Sequence, residues 1–346
     1  MKTKGIYIYG IVPNFYGTTH FQSLENSGVY AITFQNISAI VSDHENGQPD
    51  LTDRESLAHT LVHHQKTIEE LMAKGFNMII PMKLGTIAVS KEEVLNILAK
   101  GHDLIITTLT KIEYLTEIDL VVTWADFSKV LENIAVMPEI RKMKEEMQND
   151  SGITLKADQY KIGMQIQEII DQKNKSVELK ILEKLSPYGA DIRMHEVMND
   201  EMVTNSAFLL NRSRREKFEQ AIDQLDEEYK DSLNFKLVGP LPCYSFYTLE
   251  VKTLTSEEVE QSRKLLGLKE QATETEFKKA YLDKAKVFHP DNGYDEDATG
   301  KFNTIRKAYH TLLDYAAAVK QSSKDEYIPL TGARILENLI LIKIKE

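Results

Sequence analysis

Thr273-Glu274-Thr275-Glu276-Phe277-Lys278-Lys279-Ala280-Tyr281, continuing through Lys284-Ala285-Lys286-Val287-Phe288 to His289-Pro290-Asp291, is the stretch that decides how the C-terminal part of this 346-residue chain folds. The Thr and the Glu three residues later form a capping box, in which a hydroxyl and a carboxylate reciprocally satisfy N–H groups that a first helical turn leaves without partners. Phe277, Tyr281, Ala285 and Phe288 recur at three- and four-residue spacing and line one helical face. Pro290 ends that helix, because it has no N–H to donate and disfavours α geometry in the residue before it. Further on, Phe302, Ile305, Ala308, Tyr309 and Leu312 line a second apolar face. Two such faces joined by a polar segment predict an antiparallel helical hairpin. His289, Pro290 and Asp291 then stand exposed at its tip, where a small polar triplet contributes little to packing.

With Lys264-Leu265-Leu266-Gly267-Leu268 in front of them, residues 263–315 closely resemble a J domain, placed here over about 256–320. The resemblance implies that His289, Pro290 and Asp291 dock on a DnaK-type chaperone ATPase and trigger hydrolysis. Lys278, Lys279 and Lys286 would attract an acidic surface of that partner. Leu282 occupies a place where J domains often carry a basic residue; it can share one side of the helix with the three lysines. The alternative is a helical spacer without chaperone activity.

Towards the N-terminus the patterning changes. Gly5-Ile6-Tyr7-Ile8-Tyr9-Gly10-Ile11-Val12 reads as a strand stopped by Pro13. Val29 to Phe34 and Ile37 to Ser42 read as a hairpin turned at Gln35-Asn36. Thr52-Asp53-Arg54-Glu55 is expected to cap a helix running to about Lys74, and Ser90-Lys91-Glu92-Glu93 a second one. Met78 to Met82 starts another strand, and Ile118 to Trp124 reads as the strand that closes the sheet. The expectation is one antiparallel sheet with helices on one face. Charged helices follow at 141–147 and 160–185. After them come strands at 191–198, 204–210, 235–238 and 244–251, with a helix opened by the apparent box Ser213-Arg214-Arg215-Glu216.

Three of these segments resemble the gas vesicle GvpF/GvpL family: Ile6 to Val12, Ile80-Pro81-Met82-Lys83-Leu84-Gly85-Thr86, and Gly239-Pro240-Leu241-Pro242-Cys243-Tyr244-Ser245-Phe246. The helix bearing His64 and the strand Ala207-Phe208-Leu209-Leu210 fit too, so the resemblance spans roughly residues 5–251. Lys83-Leu84 stands where the family usually has Arg-Phe, and Leu241 and Cys243 replace a usual Trp and Pro. The resemblance implies an α+β chain: a modified ferredoxin-like domain over 1–127, then a helical segment plus second α+β domain over 128–255. The all-α J-domain hairpin over 256–320 and a tail over 321–346 complete it. It also implies contact with the gas vesicle shell subunit and other minor vesicle proteins.

Composition narrows the alternatives. A formal net charge of −11 opposes non-specific binding to nucleic acid and to anionic membranes. The single cysteine, Cys243, leaves no internal disulfide and no Cys-based zinc site, and it reads as a small buried hydrophobe. No secretory leader and no apolar run of about 20 residues is expected to direct the chain into a membrane, so a cytoplasmic protein is anticipated. His59 and His63 lie four apart with His64 beside them, but without a carboxylate pattern they read as ordinary histidines rather than metal ligands. Asp43-His44-Glu45 reads as a polar turn. No phosphate-cradling loop is present, and no cofactor, metal or catalytic residue is expected. Near the C-terminus Ile340, Ile342 and Ile344 share one face of a strand, either an added edge or a sticky tail. These readings converge on a non-enzymatic gas vesicle assembly protein with a fused J domain. The alternatives are a minor structural component of the vesicle shell, or a general J-domain co-chaperone.

Overall fold

The structure is a computed structural model that describes residues 5–14, 28–44, 53–149, 155–288, 298–320, 326–331 and 339–345. Its first elements are β1 (Gly5–Pro13), β2 (Val29–Phe34), β3 (Ile37–His44), α1 (Arg54–Ala73), β4 (Ile80–Pro81), β5 (Ile87–Ala88), α2 (Lys91–Ile112) and β6 (Leu115–Trp124). Next come α3 (Phe127–Ala135), α4 (Pro138–Asn149), α5 (Leu155–Leu185), β7 (Gly189–Met194), β8 (Met202–Asn211), α6 (Arg215–Glu228), β9 (Leu233–Leu241) and β10 (Thr248–Leu254). The last are α7 (Ser256–Leu266), β11 (Gln271–Ala272), α8 (Glu274–Val287), α9 (Ala298–Lys320), β12 (Ile328–Pro329) and β13 (Leu339–Lys345). The chain is α+β and divides into two compact units. One holds Met1–Glu70, Met82–Ile106 and Leu249–Lys345; the other holds Leu71–Pro81 and Thr107–Thr248.

In the first unit β1 pairs with β3 and β5, and β3 with β2, all antiparallel. The β2–β3 turn falls at Gln35-Asn36 as its sequence predicts, with Gln35 at φ 51°. Ile8, Ile11, Val12, Ile37 and Ile40 are fully buried in this sheet. The N-terminal cap of α1 is Asp53, whose carboxylate accepts from the Ser56 N–H at 2.8 Å; Thr52 of the expected box lies outside the described residues. Ser90 does cap α2, its Oγ accepting from the Glu93 N–H at 3.3 Å.

The C-terminal helices belong to this unit. Thr255 and Glu258 form a capping box at α7, and Gly267 closes that helix at φ 73°, a left-handed position that costs glycine little. Beyond α9 the chain returns: β12 pairs with β11, and the Tyr315 hydroxyl of α9 donates to the Pro329 carbonyl at 2.7 Å. β13 pairs with β10. Its side chains alternate as a strand requires. Leu341 joins the core of α7, α8 and α9, whereas Ile342 reaches the neighbourhood of Gly101 on α2. A Cβ on Gly101 would stand 3.1 Å from Ile342 and from Ile105, so the missing side chain is what lets the strand close on the helix.

The second unit is built on a sheet of order β7-β8-β6-β9. Here the expected topology is corrected. Residues 118–124 do not close the first sheet; β6 lies between β8 and β9, antiparallel to both. Ile118, Leu120 and Val122 are buried on one face with Phe208, Phe218, Ile222 and Leu225, which seats α6 on the sheet. The strong alternation of β6 could specify a half-buried strand, but pairing partners lie far along the chain and leave no mark on its own residues. The expected box at Ser213 is also absent. Asn211 instead accepts from the Ser213 N–H and hydroxyl at 3.0 and 2.7 Å, and α6 starts without a side-chain cap. The strand expected to begin at Tyr244 begins at Thr248, after a turn in which the Tyr247 N–H donates to the Cys243 carbonyl.

The closeness of Gly101 to β13 can be tested directly. Gly101→Leu should destabilise the chain by about 1–3 kcal/mol through overpacking, despite the better helix propensity of leucine. Adding Ile342→Ala should recover part of that loss, measurable as non-additive shifts in urea midpoints across the double-mutant cycle.

Candidate functional site

The hairpin of α8 and α9 is set by the cap at the start of α8 and by packing along its length. At the start of α8, the Thr273 Oγ accepts from the Glu276 N–H at 3.2 Å and the Glu276 carboxylate accepts from the Thr273 N–H at 2.8 Å. Along its length Phe277 is fully buried against the cluster that holds Ile305, Ala308 and Leu312. Tyr281 stacks on Tyr309 with ring centroids 4.6 Å apart and planes 11° from parallel. Because these residues take one side of α8, Lys278, Lys279, Leu282 and Lys286 are left exposed on its remaining surface. Leu282 is 45% exposed and Val287 67%, so the basic surface contains apolar ground. His289, Pro290 and Asp291 lie outside the described residues.

Ion pairs tie this hairpin to its surroundings. Asp314 on α9 accepts from Lys252 of β10 at 2.5 Å and from Lys343 of β13 at 3.1 Å. Lys343 lies 3.6 Å from Glu250, which also pairs with Lys83 at 2.6 Å. Burial alone would raise the carboxyl pKa values of Asp314 and Glu250, but the lysines around each hold them below the usual carboxylate range. Sequence reading missed this network. Its members come from four separated segments, and none stands out locally from other charged residues.

Residues 5–248 match the family described as Gas vesicle synthesis protein GvpL/GvpF. The chain belongs to that family. Residues 264–318 match the DnaJ domain, so this GvpL/GvpF chain carries a J domain at its C-terminal side. Among relatives, gas vesicle protein F of Dolichospermum flosaquae is 23% identical over 248 residues, covering 71% of this chain and 98% of that protein. Chaperone protein DnaJ of Hydrogenobacter thermophilus is 50% identical over 50 residues, 14% of either chain. The crystal structure of GvpF from Anabaena sp. PCC7120 superposes with a TM-score of 0.57 at 20% identity, covering 70% of this chain and 97% of that one. That likeness is one of fold.

Two other polar clusters occupy the GvpL/GvpF part. In the first unit the Tyr7 hydroxyl accepts from the Gly85 N–H at 3.2 Å and shares a hydrogen bond with His64 Nδ1 at 2.9 Å. Tyr9 meets His63 Nδ1 at 3.2 Å and Ser42 at 2.9 Å. Burial, with the neighbouring His63, lowers the His64 pKa to about 4. With Val29, Asp43 and His59 the tyrosines line a cavity of about 350 Å³. Among the described residues no group of three or more His, Cys, Asp or Glu is placed to hold a metal ion. No helix among them is long and apolar enough to cross a membrane.

In the second unit Glu117 is buried and accepts from the Ser245 N–H and hydroxyl, both at 2.8 Å; His195 Nε2 lies 3.1 Å from the same hydroxyl. Burial pushes the Glu117 carboxyl well above the usual range, and the charge of nearby Asp119 pushes the same way. The Ser245 hydroxyl sits between acid and imidazole rather than beyond the imidazole, so the order is not that of a nucleophilic triad. Cys243 is 2% exposed, and burial followed by the Glu117 charge raises its thiol to about 12.

These two clusters act on stability in opposite directions. Neutral His64 favours folding above its ordinary pKa of about 6.5, and that contribution, up to about 3 kcal/mol, is lost as pH falls towards 4. Protonated Glu117 favours folding below the ordinary carboxylate pKa of about 4.3, and its contribution is lost as pH rises through the raised value. Urea midpoints followed against pH should therefore lose acid-side slope in His64→Asn, which keeps a polar partner for Tyr7. The same measurement should lose upper-side slope in Glu117→Gln.

Proposed function

We propose that this chain is a gas vesicle assembly protein: its GvpL/GvpF part engages vesicle shell subunits and other minor vesicle proteins, and its J domain recruits a DnaK-type chaperone to them. It works in the cytoplasm, at the vesicle surface, and catalyses no reaction of its own. The observation that carries the reading is the presentation of α8. Phe277 and Tyr281 are spent on the hairpin core, while Lys278, Lys279 and Lys286 face outward on a chain of net charge −11. A local basic surface on an otherwise acidic molecule steers an acidic partner to one place. His289, Pro290 and Asp291 follow directly on that helix and are the residues assigned to trigger ATP hydrolysis. In this reading the GvpL/GvpF part faces the vesicle and residues 256–320 are the chaperone module.

The fusion has a physical purpose. Subunits of a gas-filled shell must present an apolar wall, and before incorporation that surface is prone to aggregate. A chaperone-recruiting domain joined to the subunit-binding part raises the local chaperone concentration at the client, to about the millimolar range typical of short tethers. In this chain only Thr255 separates β10 from α7, and α9 is held to β10 and β13 by ion pairs. The chaperone is thereby recruited at a set position instead of at the end of a flexible arm.

Reversing Lys278, Lys279 and Lys286 to Glu in the full chain should slow association with a DnaK-type chaperone by about one to two orders of magnitude in stopped flow. Added salt should shrink that difference, because screening reduces the Debye length to about 3 Å at 1 M. His289→Gln should abolish stimulation of single-turnover ATP hydrolysis while leaving pull-down of the shell subunit intact. Stimulation by His289→Gln equal to the wild type, or association indifferent to salt and to all three reversals, would remove the basis for chaperone recruitment.

A further inference from the structure

The turn that joins β8 to α6 holds an arginine whose side-chain hydrogen bonds go to backbone carbonyls. Asn211 fixes the turn by accepting from the Ser213 N–H and hydroxyl. Arg212 is then pinned by its own backbone N–H, which donates to the Tyr114 carbonyl at 2.9 Å. Its side chain donates through Nε to the Leu115 carbonyl at 3.1 Å and through Nη2 to the Asn77 carbonyl. Both acceptors are neutral. A guanidinium has five N–H donors, so three remain for another acceptor, including one on each terminal nitrogen. Its neighbour Arg215 differs, since it pairs with Glu219 at 2.7 Å. Among the described residues Arg212 has no carboxylate partner.

That arginine stands at a cavity of about 290 Å³ whose lining sets Ile79, Ile112, Leu115, Leu241 and Cys243 beside the polar Asn77 and Arg215. Ile79, Ile112 and Cys243 are buried, and Thr116 turns its hydroxyl to the Leu241 carbonyl, so the apolar part of the lining lies beside the polar rim that Arg212 occupies. The cavity lies at the bottom of the size range of small-molecule sites, roughly 300–1,000 Å³. Such a space holds one apolar side chain, too little contact to retain a free small molecule tightly but enough for one anchor of a larger partner.

We propose that this cavity is a docking pocket for a peptide segment of a partner protein in which an apolar side chain lies beside a carboxylate. The side chain fills the Ile79–Ile112–Cys243 space and the carboxylate pairs end-on with Arg212. The pairing is specific because the guanidinium is already oriented by two carbonyls, so little rotamer freedom is lost on binding. The inference rests on the reading that the GvpL/GvpF part engages partner proteins, and it names the chemistry that one such contact recognises.

The test uses the full chain with its isoleucine methyl groups 13C-labelled and, as probe, the blocked peptide acetyl-Ala-Leu-Glu-Ala-amide. The Ile79 and Ile112 methyl signals should shift and saturate with a Kd of about 1 mM, as expected of a single anchor. Replacing Glu by Gln in the peptide, or Leu by Ser, should weaken binding at least about tenfold, and Arg212→Gln should do the same for the original peptide. The two peptide controls leave the protein unaltered, so the proposal stands or falls even if Arg212→Gln fails to fold. Absence of shifts, equal binding of either control peptide, unchanged binding by folded Arg212→Gln, or saturation by octanoate but not by the peptide would each overturn it. A chain that still pulls down the shell subunit while ignoring the peptide would sink this pocket alone and leave the broader reading in place.

Discussion

Lys343, near the C-terminal end of the described chain, lies between Asp314 of the J-domain helix α9 and Glu250 of β10, at 3.1 and 3.6 Å. Lys252 and Lys83 complete the arrangement on either side. An exposed pair of this kind contributes about 0–1 kcal/mol. Here both carboxylates are largely shielded from water, and each would be costly to leave without a cation. Three lysines around two acids thus fix which segments lie together more than they add to net stability. The strand that brings Lys343 into place also carries Leu341 into the helical core and Ile342 towards Gly101.

This arrangement gives the J domain a different physical character from a domain on a tether. Its core of Phe277, Ile305 and Leu312 is continuous with Leu254 at the end of β10 and with Leu330 and Leu341 from the returning chain. One side of α8 is committed to that core through Phe277 and the Tyr281–Tyr309 stack. Its other side leaves Lys278, Lys279 and Lys286 exposed. Packing on one side and charge on the other are therefore one design: the apolar spacing that folds the hairpin leaves the basic residues nowhere to go but outward.

The GvpL/GvpF part shows how the same amino acids serve different ends according to burial. His64 is enclosed and shares a hydrogen bond with Tyr7, whereas His195, at the surface, meets a hydroxyl that Glu117 already holds. Glu117 and Asp119 are two apart on β6 and so project from one face of the sheet, opposite to Ile118 and Leu120. Two acids confined together cannot both ionise cheaply. The two hydrogen bonds from Ser245 to Glu117 keep the turn after β9 on the sheet.

Much of this was legible in the residues themselves. The capping box at Thr273, the apolar spacing from Phe277 to Phe288, the hairpin turn at Gln35-Asn36 and the outward lysines of α8 are all local properties, set by geometry within a few residues. Such patterns survive any change in what surrounds them. The partners of β6, the docking of β13 against Gly101 and the ring of Lys83, Glu250, Lys252, Asp314 and Lys343 were not legible. The Asn211 turn that aims Arg212 at a cavity was not legible either. Each joins segments separated by tens to hundreds of positions, and a strand or a charge carries the same local signature whichever partner it meets. Only the tertiary structure, by closing those distances, decides which lysine finds which carboxylate and which arginine turns to backbone carbonyls instead.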